Sequence, residues 1–329
     1  MSETFTMAME NLPPDVSSQI ITACQLIYGI PSFVLMVYFL IVLGYKNNYT
    51  NSFYRLVQIG LLVNISCSLN SWFATRLEKH PSCVFILKFI ESIVPGALTI
   101  VKYLTYFYMH IQFLSITAMS IHRMFTVIFP LRFELICSKW YPAIGVSFFV
   151  YSHLPKLLWP GFTFRVNIQD GQLVKVKYNS VYTEAININA IFSIIYFILI
   201  LTVGIVTVIL ITKELKSLFS KISPAYAFIS DLSIATEKIS KKLTRMALTY
   251  CFLYTGILLW SVVSSIDSNF PFLPSFIVNN NFVLLTFLSD IMTLALPYIL
   301  LVFDSNIRQD ILRKRQNQVI SVVATSGLS

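Results

Sequence analysis

Seven stretches of this chain are each long and apolar enough to cross a bilayer as a helix, and this pattern constrains the fold more than any other feature. Lipid offers no partner to an unpaired N–H or C=O, so a segment at that depth must close its backbone hydrogen bonds internally, as an α-helix does. The spans are expected at 20–45, 53–75, 98–128, 141–160, 186–212, 246–266 and 281–303. The run from Cys83 to Pro95 is shorter and carries Lys88 and Glu91, and reads as a loop or an outward extension of the third span. Composition agrees: 56% of residues are hydrophobic, mean hydropathy is +0.72 and only 12% are charged, about half the share of a soluble domain. The fold class expected is an all-α membrane protein, a seven-transmembrane helix bundle.

The basic residues give the direction of threading. With the N-terminus outside, the cytoplasmic side holds Lys46, Arg55, Arg123, Arg132, Lys139, seven residues from Lys213 to Arg245, and Arg308, Arg313, Lys314 and Arg315. That is sixteen against eight outside, the distribution anionic inner-leaflet lipid favours. Residues 1–19 hold Glu3, Glu10 and Asp15 and no basic residue, as a translocated tail should. The C-terminus is then cytoplasmic, and 304–329 forms a tail in which Ser305 or Asn306 could cap a short interfacial helix, Ile307, Ile311 and Leu312 facing lipid. The net charge of +9 is thus a topology signal. No basic stripe interleaved with stacking aromatics lies outside the spans, so membrane lipid is an expected partner and nucleic acid is not.

Catalytic and metal chemistry find no foothold in the sequence. The four histidines, His80, His110, His122 and His153, are scattered over different segments, and neither a paired-aspartate motif nor a phosphate-binding loop occurs. No cofactor is implied. Of the five cysteines only Cys24 and Cys83 lie near the oxidising face, and whether they pair is open; Cys137, beside the inner leaflet, is a candidate for palmitoylation. A transporter or ligand-gated channel is the alternative class, although neither inverted repeats nor paired broken helices are visible.

At the inner end of the third span stands Ile121-His122-Arg123-Met124, with Pro130 seven residues after the arginine. In the seventh, Pro297-Tyr298 is followed by Arg308, eleven residues after the proline. Both intervals resemble those of rhodopsin-like G protein-coupled receptors. His122 replaces the acid of their motif, the tyrosine sits next to the proline rather than three residues on, Trp260 lacks the proline two residues later, and the second outer loop has no cysteine. Three further stretches resemble the nematode serpentine chemoreceptors of class gamma, the Srg family: Leu26-Ile27-Tyr28-Gly29-Ile30-Pro31-Ser32, Asn51-Ser52-Phe53-Tyr54-Arg55-Leu56, and the run from Ser289-Asp290 through Pro297 to Asn306.

The resemblance implies a chemosensory receptor for a small molecule, acting through a heterotrimeric G protein at the plasma membrane of a sensory cell. On this reading Arg123, Pro130, Pro297 and Arg308 belong to the coupling or switching machinery. The basic third inner loop, including Lys241 and Lys242, faces the G protein or anionic lipid. For the ligand, Tyr103, Tyr106 and His110 fall on one face of the third span, a face that serves either packing or binding. Trp260 is expected over the cavity floor. Asp290, a charge at membrane depth, either lines the cavity, holds a polar network beneath it, or is a protonated acid hydrogen-bonded between helices. Lys102, near the outer boundary, hints at an anionic ligand. Because the orientation underlies all of this, an epitope fused behind Ser329 should stain only after cells are permeabilised; staining of intact cells would reverse the topology.

Overall fold

The computed structural model describes residues 4–9, 16–46, 49–221, 228–304 and 307–309. Seven long helices dominate it: α1 (Val16–Tyr45), α2 (Ser52–Ser71), α4 (Ala97–Ile128), α5 (Pro130–Tyr151), α7 (Asn179–Lys221), α8 (Phe228–Asn269) and α10 (Asn281–Phe303). Shorter helices α3 (Val84–Ile93), α6 (Leu154–Leu158) and α9 (Ser275–Asn279) fill connections, and three strands, β1 (Thr4–Ala8), β2 (Phe164–Gln169) and β3 (Gln172–Tyr178), form one antiparallel sheet in the order β1-β3-β2.

The long helices close a ring, α1–α2–α4–α7–α8–α10 and back to α1, with α5 packed outside α2 and α4. Its interior is apolar and dense, with Val57, Leu61, Phe113, Met119, Tyr254 and Leu300 buried together. Gly60 permits this approach, since a Cβ there would come within 3.1 Å of Ser115 and 3.4 Å of Leu296. The outward faces are apolar too. Ile27, Val34 and Ile41 on α1, Ile191, Ile198 and Ile205 on α7, and Phe252, Leu259 and Ile266 on α8 recur every seven residues and are exposed. Two helical turns return a side chain to the same face, so these are stripes of large hydrophobics, which water would penalise and lipid does not.

Among the described residues, five helices are long and apolar enough to cross a membrane, and a sixth span qualifies if α3 and α4 count as one. The fourth expected span is the exception. Its helix starts at Pro130, not Tyr141, and ends at Tyr151, with the rest of 141–160 turning into α6. Arg132, Glu134 and Lys139 occupy its first half, leaving an apolar stretch only from Trp140 to Tyr151. The Cys83–Pro95 run is not an outward extension of the third span: α3 meets α4 at 104°. Gly96, at φ 87°, makes the corner, and the buried Glu91 carboxylate accepts the Gly96 and Leu98 N–H groups at 2.6 and 3.0 Å. It satisfies orphan donors at the α4 N-terminus and complements the helix dipole there.

The expected inner loop between the fifth and sixth spans is largely helical. α7 has 43 residues and α8 has 42, about 65 Å each, or roughly twice the hydrocarbon thickness. Lys241 and Lys242 fall on the α8 backbone, and their side chains lie outside the described residues. Most of the tail expected to form an interfacial helix also lies outside the described residues; Asp304 and 307–309 are described, 307–309 is helical, and Ile307, expected to face lipid, is buried against the core.

The tail and the second outer loop are not featureless either. Phe164–Gln169 and Gln172–Tyr178 alternate in side-chain character, and Asp170-Gly171 between them takes φ 49° and 74°, the left-handed pair a two-residue hairpin requires. β1 adds to this hairpin from the N-terminus, Thr4 pairing with Tyr178 and Ala8 with Val174. Met9, Val166 and Leu173 then bury against Val84, Leu87 and Leu98, seating the sheet and α3 over one end of the ring. None of the five cysteines is in a disulfide, so Cys24 and Cys83 are not bridged. Replacing Gly171 with Val forces a β-branched residue into left-handed backbone, and should lower the free energy of unfolding by about 1–2 kcal/mol in a thermal melt of the purified protein.

Candidate functional site

Beneath the sheet, α2, α4, α7, α8 and α10 enclose a cavity of about 600 Å³, a size suited to a small organic molecule. Met109, Ile257, Trp260, Leu285 and Met292 supply apolar wall, and Lys175 and Lys177 reach it from β3. Successive strand residues alternate faces, so these two lysines share one side of the sheet with Leu173. Tyr106 and Trp260, both expected at a ligand site, line the cavity. Trp260 is held by its indole N–H, which donates to Asn281 Oδ1 at 3.0 Å.

The other three expected ligand residues stand elsewhere. Tyr103 pairs with His153 Nδ1 at 2.8 Å and is overlain by the Lys156 ammonium, whose proton affinity burial lowers. His110 is buried between Tyr196 and Asn189, at 2.9 and 3.2 Å, a satisfied core histidine. The face of α4 carrying these side chains therefore serves mostly packing. Asp290 is the third. It borders a separate apolar groove between α1, α8 and α10, with Tyr28, Ser32 and Tyr298.

Asp290 instead answers a buried charge that sequence reasoning placed outside the bundle. The last turn of α2 widens into a π-helical turn, Trp72–Arg76, which carries Arg76 into the interior, where it is 1% exposed. Arg76 lies 2.5 Å from Asp290 and also donates to Gln25 Oε1 at 3.0 Å and Ser71 Oγ at 2.7 Å. Tyr28 donates to the other Asp290 oxygen at 2.7 Å, and Gln25 donates to Thr286 at 2.9 Å. One ion pair thus fastens α1, α2 and α10, and a deprotonated Asp290 is the form that suits it. The sequence held half of the signal, a lone aspartate inside an apolar span, but Arg76 falls one residue beyond the expected end of the second span, and nothing matched the two.

A second buried cluster sits at the cavity wall. Lys102, far from snorkelling, is buried and donates to Glu78 at 2.5 Å and to the Ala74 carbonyl at 2.7 Å, while Lys175 donates to the same carboxylate at 2.9 Å. Glu78, missed in the sequence, therefore joins the end of α2, α4 and the sheet. Lys177 lies 3.9 Å over the Tyr182 ring, and burial together with the Lys175 ammonium holds its proton affinity below the usual lysine value.

At the opposite end of the ring, Arg123 lies between the Phe53 and Tyr250 rings, 4.5 and 5.9 Å from their centroids, with the Asp304 carboxylate attracting it. His122, where an acid was missing from the motif, hydrogen-bonds Ser52 at 2.5 Å. Tyr54 donates to Asp304 at 2.8 Å, so α2 and the end of α10 meet around the arginine. α10 runs unbroken through Pro297, and Tyr298 turns to Ser32 on α1 at 2.8 Å. Arg308 is exposed, and Pro130 opens α5. Among the described residues no cluster of His, Cys, Asp or Glu could hold a metal.

A family model described as the Srg family chemoreceptor matches residues 22–311. The chain belongs to the Srg family. Among curated proteins, this Srg chain is similar to Serpentine receptor class gamma-47 of Caenorhabditis elegans, 33% identical, with 90% of this chain and 91% of the relative covered. It is also similar to Serpentine receptor class gamma-53 of the same organism, 24% identical, with 88% and 90% covered. The family is one of receptors rather than enzymes, and a serpentine receptor is a bundle of seven membrane helices. Replacing Asp290 with Asn should strand the Arg76 charge and destabilise the detergent-purified protein by about 3–5 kcal/mol. Arg76→Met combined with Asp290→Leu should recover most of the loss in the same melt.

Proposed function

We propose that this Srg receptor binds a small-molecule chemical cue in the cavity beneath the sheet and activates a heterotrimeric G protein at the opposite end. The N-terminus and sheet face outside, the C-terminus faces the cytoplasm, and the protein works in the plasma membrane of a sensory cell. The observation that carries this reading is the pairing of a ligand-sized cavity at one end of the ring with a half-buried arginine held between aromatic rings at the other. α4, α8 and α10 contribute to both, so a molecule that moves these helices in the cavity alters the surroundings of Arg123. A ligand shifts the equilibrium by its difference in affinity for the two arrangements, and nothing more is required of it.

Tyr106 and Trp260 contact the cue directly, whereas Tyr103, His110 and Asp290 shape the cavity through packing and the α1–α2–α10 network. In the resting arrangement Asp304, Phe53 and Tyr250 occupy Arg123; in the active one α8 moves and Arg123 meets the G protein. Pro130 and Pro297 shape the helices around that surface, and Arg308, Lys241 and Lys242 supply positive charge for the partner and for anionic lipid.

In cells carrying a promiscuous G protein, a small-molecule screen read by calcium should yield an agonist, and Arg123→Ala should abolish its response at equal surface expression. A confirmed ligand of the cavity that recruits no G protein would overturn the coupling.

A further inference from the structure

The charges around the cavity do not balance. Four lysines line it, Lys79, Lys102, Lys175 and Lys177, against two carboxylates, Glu78 and Asp267. Both carboxylates are already engaged. Glu78 accepts from Lys102 and Lys175, and Asp267 Oδ1 accepts the backbone N–H groups of Phe272 and Leu273 at 3.0 and 2.9 Å, holding the turn after α8. Lys177 is left against the face of Tyr182 with no carboxylate partner among the described residues. A half-buried ammonium beside a second one, over an aromatic ring, is a place where an anion gains both charge and hydrogen bonds.

The inner part of the cavity asks for something different. Gln112 is 1% exposed and lines the cavity about four turns into α4. Its amide nitrogen is committed, donating to Asn64 Oδ1 at 3.0 Å and to Thr293 at 3.1 Å, while its Oε1 is a buried acceptor with no donor among the described residues. An unmet acceptor in an otherwise apolar wall costs about 1–3 kcal/mol, which a ligand donor recovers. Between the lysine and the glutamine the wall is Met109, Trp260, Ile257 and Met292.

Resting on the reading of this cavity as the cue site, we propose that the cue is a soluble amphipathic anion, its carboxylate-type head on Lys177, its apolar body along Trp260 and Ile257, and a hydroxyl or similar donor reaching Gln112. Lys102, the basic residue that stands out in the sequence, does not supply the recognition charge, because Glu78 consumes it.

The test uses the full-length receptor in nanodiscs of neutral phosphatidylcholine, read by ligand-induced thermal stabilisation. The probes are medium-chain hydroxy acids whose hydroxyl lies at the end away from the carboxylate, each with its parent acid, its primary amide and its amine. Acids should stabilise, hydroxy acids more than parent acids, and amides and amines should not. Lys177→Gln should raise the half-saturating concentration about tenfold or more, a charge-assisted hydrogen bond being lost, and Lys177→Arg should restore it. Gln112→Leu should erase the advantage of the hydroxyl while leaving acid binding intact. Equal stabilisation by amides or amines, an unchanged affinity in Lys177→Gln, or no stabilisation by any acid would each overturn the proposal. Stabilisation by phosphatidylglycerol alone, dependent on Lys177, would overturn the assignment to a soluble molecule. None of these outcomes touches G-protein recruitment, which judges the receptor reading separately.

Discussion

Arg76 is the residue on which the arrangement of the bundle depends. A guanidinium at membrane depth has no water to fall back on, and it is always charged, so the fold must bring a complement to it. Asp290 does this from the far end of the sequence, with Tyr28, Gln25, Ser71 and Thr286 completing the donor and acceptor count. Helix packing in lipid lacks the hydrophobic drive it has in water, so close contact and polar matching decide which helices touch. The pair joins the first, second and last long helices, and so closes the ring at the one place where the chain could otherwise splay open.

The same logic of satisfied charge separates what encloses the cavity from what faces into it. Glu78 accepts from both Lys102 and Lys175 and thereby locks the sheet to the helices, and Glu91 settles the start of α4. These contacts make the strand-capped end a built structure rather than a set of loops. Arg123 at the other end is held differently, by aromatic faces and a shared carboxylate, an arrangement that is easier to undo than a bidentate ion pair.

A mostly helical, membrane-spanning fold was legible in the sequence because a bilayer demands long apolar runs, and such runs have few other uses. The family was legible from short stretches in the first, second and seventh spans. Boundaries were less so: α7 and α8 continue well beyond hydrocarbon thickness because polar helices outside lipid leave no hydropathy signal. The three-stranded sheet was missed by the all-α expectation: the Asp170-Gly171 hairpin lies in a connection read only as a loop, and β1 pairs with a strand so distant in sequence that it leaves no local trace. At the site, periodicity put Tyr103, Tyr106 and His110 on one face but could not say that only Tyr106 meets the cavity. Burial partners such as Asn189 and Tyr196 on α7 and His153 in the turn after α5 come from elsewhere in the chain and decide the matter. Lys177 and Gln112 were invisible for the same reason.

The sheet also bears on how the protein is made. Its edge strand β1 comes before every helix described, yet the strand it joins is synthesised only after four of the long helices. During that interval β1 must wait with its ladder groups hydrated, held near the right place by α1, which follows it in the chain. Capture of the waiting segment by the hairpin is therefore a late step of biogenesis, and it completes the roof over the cavity only once α4 and the strands following α5 have arrived.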